Sequence, residues 1–174
     1  MKITNSITGA ELSLCRTWRY ALWRQWEEQG DTNSVMFIGL NPSTADEVED
    51  DTTISKCIGF ARRWGYGGIY MLNLFAYRAT DWKLMIAASD PVGSENDKAL
   101  ADYGSRTTLV IAAWGGVISI RDRRRLQWES RVSQVLKCVG KSVHCLGKTK
   151  DGSPLHPCRF GYARERQLFW TPGN

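Results

Sequence analysis

Three short, unbroken apolar runs constrain this chain most: Val35-Met-Phe-Ile-Gly-Leu40, Gly68-Ile-Tyr-Met-Leu-Asn73 and Thr108-Leu-Val-Ile-Ala-Ala-Trp114. None alternates with polar residues, so each reads as a strand buried on both faces, the mark of a parallel sheet covered by helices. The stretches between them carry helical spacing. Residues 52–64 place Ile54, Cys57, Ile58 and Ala61 on one face and stop at Gly65. Residues 81–88 start with a cap at Asp81, residues 95–103 form a further helix, and residues 122–138 form a basic amphipathic helix with Leu126, Val132, Val135 and Leu136 inward. A fourth strand, Val143-His-Cys-Leu146, follows. Strands alternating with helices predict one three-layer α/β domain over residues 1–174 with a mainly parallel central sheet. The first 30 residues fit two readings. Trp18, Tyr20 and Leu22 alternate as in a strand, whereas Trp18, Leu22 and Trp26 share a helical face; a hairpin is favoured.

No apolar run approaches the ~18 residues of a membrane span, and Met1-Lys2-Ile3-Thr4-Asn5 lacks a signal-peptide core, so a cytoplasmic location is expected. The five cysteines are scattered and odd in number, with no CxxC pair, which argues for free thiols over a disulfide framework or zinc site. The net charge of +5 favours an anionic partner.

In open α/β sheets ligands bind beyond the carboxyl ends of the strands. The first run ends in Gly39-Leu-Asn-Pro-Ser43, followed by Asp46, Glu47, Glu49, Asp50 and Asp51. Asn41 offers a donor and an acceptor, Gly39 a close backbone approach, and Pro42 a fixed turn. The same residues suit a capped turn, with Ser43 or Asp46 as the cap, and the acidic cluster suits either a divalent metal or a solvated helix start. Asn73 closes the second run, where it either reads an amide edge or pins a loop. Phe75 after it could stack on a base, and Arg78 could meet a phosphate. After the fourth run come Lys148, Lys150 and His156-Pro157. Arg121, Arg123, Arg124 and Arg125 form either a phosphate grip or a solvated helix start, as do Arg159, Arg164 and Arg166 near the C-terminus.

From Trp18-Arg19-Tyr20 through Gly39-Leu-Asn-Pro-Ser-Thr-Ala-Asp46, Asp50-Asp51-Thr52 and Asn73-Leu-Phe-Ala-Tyr-Arg78 to Asp151-Gly-Ser-Pro-Leu-His-Pro157, the chain is similar to a family of bacterial and phage proteins catalogued as a domain of unknown function. It also resembles, more distantly, the uracil-DNA glycosylase superfamily. There a Gly-x-x-Pro motif follows the first strand (Gly39-Leu40-Asn41-Pro42 here), an Asn commonly ends the second (Asn73), and a late His-Pro motif completes the site (His156-Pro157). Cys158 stands where that superfamily commonly has Ser, and residues 147–153 form an unusual insert before His156.

The resemblance implies a glycosylase fold and hydrolysis of the N-glycosidic bond of uracil or a modified pyrimidine flipped from DNA, with no cofactor. Asn41 would position water, with Asp46 or Asp51 as a base, and His156 would stabilise charge on the departing base. Asn73 would orient that base, stacked on Phe75 and cradled by Gly39, Pro42 and Ser43. Arg78, Lys148, Lys150 and the 121–125 arginines would grip DNA. Two alternatives stand beside this: a module that holds a base without cutting, and an enzyme on free nucleotides or hypermodified phage bases.

Overall fold

The structure, a computed structural model, describes residues 7–27, 33–43, 49–116 and 124–173, with the backbone alone for 124–127. Its centre is built from the apolar runs. Strand β3 (Ser34–Gly39) and strand β4 (Gly68–Asn73) are buried at every residue, and so is the shorter β5 (Leu109–Ala112). They alternate between two cores. Val35, Phe37, Ile69, Met71 and Ile111 face helix α1 (Thr52–Arg63), which contributes Ile54, Cys57, Phe60 and Ala61. Met36, Ile38, Tyr70, Leu72 and Val110 face the opposite layer, made of α2 (Trp82–Ala87), α3 (Asn96–Arg106) and α4 (Arg124–Val139). Strands sealed on both faces need apolar residues at successive positions, which is why the runs do not alternate.

Seven strands form one sheet in the order β1-β2-β4-β3-β5-β6-β7, with β1 at Ile7–Leu12, β2 at Arg19–Gln25, β6 at Val143–Cys145 and β7 at Gln167–Trp170. The pairs β4–β3, β3–β5 and β5–β6 are parallel, whereas β1–β2, β2–β4 and β6–β7 are antiparallel. The mainly parallel sheet expected from the sequence is therefore its centre only, and half of the pairings are antiparallel. The N-terminal segment is a hairpin whose second strand continues the sheet, since Leu22 pairs with Met71 and Gln25 with Gly68.

The connections define the functional end. From β3 the chain goes by α1 to β4, on one side of β3; from β5 it goes by α4 to β6, on the other. The helices that follow β3 and β5 lie on opposite faces, and this arrangement places a crevice between two neighbouring carboxyl ends, the usual ligand position in such sheets. Among the described residues no helix is long and apolar enough to cross a membrane.

Candidate functional site

At the end of β3, Gly39 lies opposite Asn73 of β4. A Cβ on Gly39 would sit 2.6 Å from Met71 Cε and 2.7 Å from Asn73 Oδ1, so the missing side chain is the seat of the asparagine. Gly39 is absent from the positive-φ positions; the glycine is required by space, not by backbone conformation. Asn73 is 1% exposed, and its Nδ2 has no hydrogen-bond partner. A buried amide left unpaired forfeits about 1–3 kcal/mol. Its own carbonyl is held by Asn96 Nδ2 at 3.2 Å, and the next carbonyl, of Leu74, accepts from Asn96 Nδ2 at 3.2 Å and from Arg131 Nε at 2.7 Å. Two helices thus fix the backbone that carries the unpaired donor.

At the end of β5, Trp114, Gly115 and Gly116 line a cleft of about 560 Å³ with His156, Arg159 and Phe160. Gly115 is in the left-handed region (φ 81°), and a Cβ there would meet His156 Cβ at 3.4 Å. His156 caps the 3-10 turn Pro157–Arg159, its Nδ1 accepting from the Cys158 N–H at 3.3 Å. That bond leaves the proton of the neutral ring on Nε2. Burial and the Arg159 charge push the imidazole below its ordinary range, opposed by Asp51. His156 is therefore a neutral donor at pH 7. The ends of β4 and β5, carrying Asn73 and leading to His156, stand about 10 Å apart across two strand spacings.

The remaining expected residues divide. Asn41 donates through Nδ2 to Ala79 O at 2.7 Å and Pro42 O at 3.1 Å, which ties its loop to the chain beyond β4 and leaves Oδ1 as the acceptor. Pro42 is buried, and its carbonyl also accepts from Ala79 N. The cap of α1 is Asp51, neither Ser43 nor Asp46: Asp51 Oδ1 accepts from Ile54 N at 2.8 Å, and Oδ2 accepts from Ser43 Oγ at 2.9 Å. Asp50 pairs with the buried Arg24 at 2.8 Å. Asp50 and Asp51 are thus committed to structure, and among the described residues no group of His, Cys, Asp and Glu could hold a metal.

Phe75 is 6% exposed and packs on Trp128 of α4 with ring centres 5.5 Å apart, in the core that faces away from α1. Arg78 donates to Arg16 O in the turn of the β1–β2 hairpin. Lys148 is exposed, its Nζ over the Phe169 ring, and Lys150 is exposed in the same loop, where Thr149 and Ser153 both donate to the Asp151 carboxylate. Those bonds hold the Asp151 carboxyl below its usual range. Asp46, Arg121 and Arg123 lie outside the described residues, as do the side chains of Arg124 and Arg125.

The site residues named from sequence that the structure brings to the strand ends on the α1 side are Gly39, Ser43, Asp51, Asn73 and His156. Sequence reasoning attached no function to Trp114 or Gly115, although the Gly115-Gly116 pair closing an apolar strand was a visible signal. No curated protein and no solved structure matches the chain. Residues 19–158 match the model of a family described as protein of unknown function (DUF1643), and by that match over most of its length the chain belongs to that family.

Proposed function

We propose that the chain hydrolyses the N-glycosidic bond of a pyrimidine, uracil or a modified base, presented from DNA, on a fold akin to that of the uracil-DNA glycosylases. The observation that carries this reading is the buried, unpartnered Nδ2 of Asn73, held rigidly at a strand end near the topological switch point. An amide in that condition is poised for a ligand that supplies an acceptor, and the face of a pyrimidine that carries its exocyclic oxygen does so. His156 supports the same reading. Bond cleavage leaves negative charge on the base, and a neutral Nε2–H donor held in the cleft suits the oxygen where it gathers; one such donor is worth ~2.7–4 kcal/mol. Asn41 Oδ1, with its amide already engaged, suits accepting a hydrogen from the attacking water. Asp51 acts as a helix cap rather than as a base, and Phe75 as a core ring rather than a stacking partner.

The test is incubation of the purified protein with oligonucleotides bearing uracil and with phage DNA rich in modified pyrimidines, followed by alkali cleavage and mass spectrometry for abasic sites. Asn73→Ala and His156→Ala should each abolish their formation. Full activity in either variant refutes the assignment. A second reading, a module that holds the base without cutting it, is favoured by the engagement of both Asp51 oxygens. It predicts Asn73-dependent binding with no abasic product.

A further inference from the structure

Outside the cleft, the outer face of α1 carries a second feature. Residues 158–166 run along this helix from its first turn to its last. Cys158 Sγ meets Thr53 Oγ1, Lys56 Nζ donates to Phe160 O, Tyr162 packs edge-on against Phe60, and Arg166 lies over Trp64. From Thr53 to Trp64 this is about 17 Å of helix. Cations and rings alternate along it. Lys56 and Arg63 sit over Tyr162 at 4.6 and 4.7 Å, Arg164 over Phe160 at 4.6 Å, and Arg166 over Trp64 at 5.4 Å. The upper end is the cleft itself, since Phe160 and Arg159 line it beside His156. The lower end is a groove formed by Arg63, Trp64, Tyr162, Arg164 and Arg166, with Glu165 also lining it.

Charge along the stripe is one-sided. Residues 52–64 contain no acid, and Glu165 is the one acid in 158–166. The buried Arg24 and Arg131 each have a carboxylate partner, whereas no ion pair is recorded for these four cations among the described residues. Arg63, Arg164 and Arg166 are exposed.

We propose that this stripe is a track for single-stranded nucleic acid, leading from Trp64 to the His156 cleft. Guanidinium groups grip phosphate oxygens in bidentate fashion, and a cation that turns from its ring to a phosphate bares that ring for an unpaired base. A duplex keeps its base faces covered and would leave those rings unused. The proposal deepens the nucleobase reading and rests on it only at the cleft end.

The test is fluorescence anisotropy of the full chain with a labelled single strand of about 12 nucleotides that lacks uracil and modified bases, at several salt concentrations. The variant carries Arg63→Gln, Arg164→Gln and Arg166→Gln, with its fold checked by circular dichroism and thermal midpoint. The wild type should bind, with affinity falling as salt rises. The variant should lose about tenfold or more at low salt, and its log–log slope should shrink by about 2, from three phosphate contacts at ~0.7 each. If the triple variant fails to fold, Arg63→Gln and Arg166→Gln alone should each reduce the slope by about 0.7. Wild-type affinity and slope in the folded variants overturn the track, as does tighter wild-type binding to the matching duplex or to phosphatidylserine vesicles. The two readings fail separately. Binding that survives while no abasic site forms refutes excision alone, and excision with binding indifferent to the arginines refutes the track alone.

Discussion

Gly39→Ala isolates the contact on which the site rests. The new Cβ would lie 2.6 Å from Met71 Cε and 2.7 Å from Asn73 Oδ1. Ordinary carbon contacts are at ~3.5–4.0 Å, so the two side chains must retreat by about 1 Å. Met71 Cε is the tip of a flexible chain and can turn aside in part, whereas Asn73 is 1% exposed with its backbone held by Asn96, so the strain falls mainly on the asparagine. Overpacking of this kind costs about 1–3 kcal/mol. For a chain of this length that lowers the thermal midpoint by roughly 2–12 °C. Met71→Leu deletes Cε while nearly conserving volume, so the double variant should recover part of the loss, a coupling of about 0.5–3 kcal/mol. It should not restore function, because Asn73 remains displaced. The assay is a double-mutant cycle by thermal or urea unfolding, with base excision or base binding read on the same four proteins. An unchanged midpoint in Gly39→Ala, or no recovery with Met71→Leu, refutes the reasoning.

Three further outcomes follow. Asp51→Asn keeps an oxygen for Ile54 N and should retain most stability and any base excision, whereas Asp51→Ala should lose about 1 kcal/mol; a well-folded Asp51→Asn variant that has lost an excision shown by the wild type would mean that the carboxylate is a base after all. Asp50→Ala strands the guanidinium of Arg24, which is 5% exposed, and since Asp50 is itself one-third exposed the loss should be about 2–3 kcal/mol, below the full range for a buried pair, read by urea denaturation. Burial holds His156 and His144 below the ordinary imidazole value, with Arg159 adding to the effect at His156 and Arg166 at His144. The unfolded chain therefore takes these protons first. Stability should be full above pH ~6.5 and fall as the pH drops from there toward the folded values, a slope that replacing both histidines with Gln should flatten.

The parallel centre was legible because burial on both faces forces a continuous apolar run, as in Val35–Met36–Phe37–Ile38. The edges were harder. Strand β7 is exposed at Gln167 and Leu168, and its pairing with β6 is a tertiary event that four residues do not announce. Asn73 and His156 were readable as polar groups at strand ends. Phe75 misled because alternation ends with the strand: Asn73 keeps the Met71 face, and the backbone then turns and sends Phe75 into the opposite core against Trp128. Arg131, flanked by Ser130 and Val132 in the basic helix, was not singled out from sequence; it is 4% exposed, drawn inward by the Leu74 carbonyl and by Asp97 at 2.6 Å. Sequence charge alone does not separate such a clamp from a solvated cation.

The placement of α1 and α4 on opposite faces has a consequence for how this architecture changes over time. The connections after β3 and β5 lead to those two faces, so either can lengthen without disturbing strand register. Lengthening a surface loop is thermodynamically mild, ~0.6 kcal/mol for each doubling. The strand ends at Gly39, Asn73 and Ala112 can stay fixed while the connections vary. Relatives built on this sheet are then free to differ in the shape of the crevice, and insertions should gather at these two positions before they touch the strands.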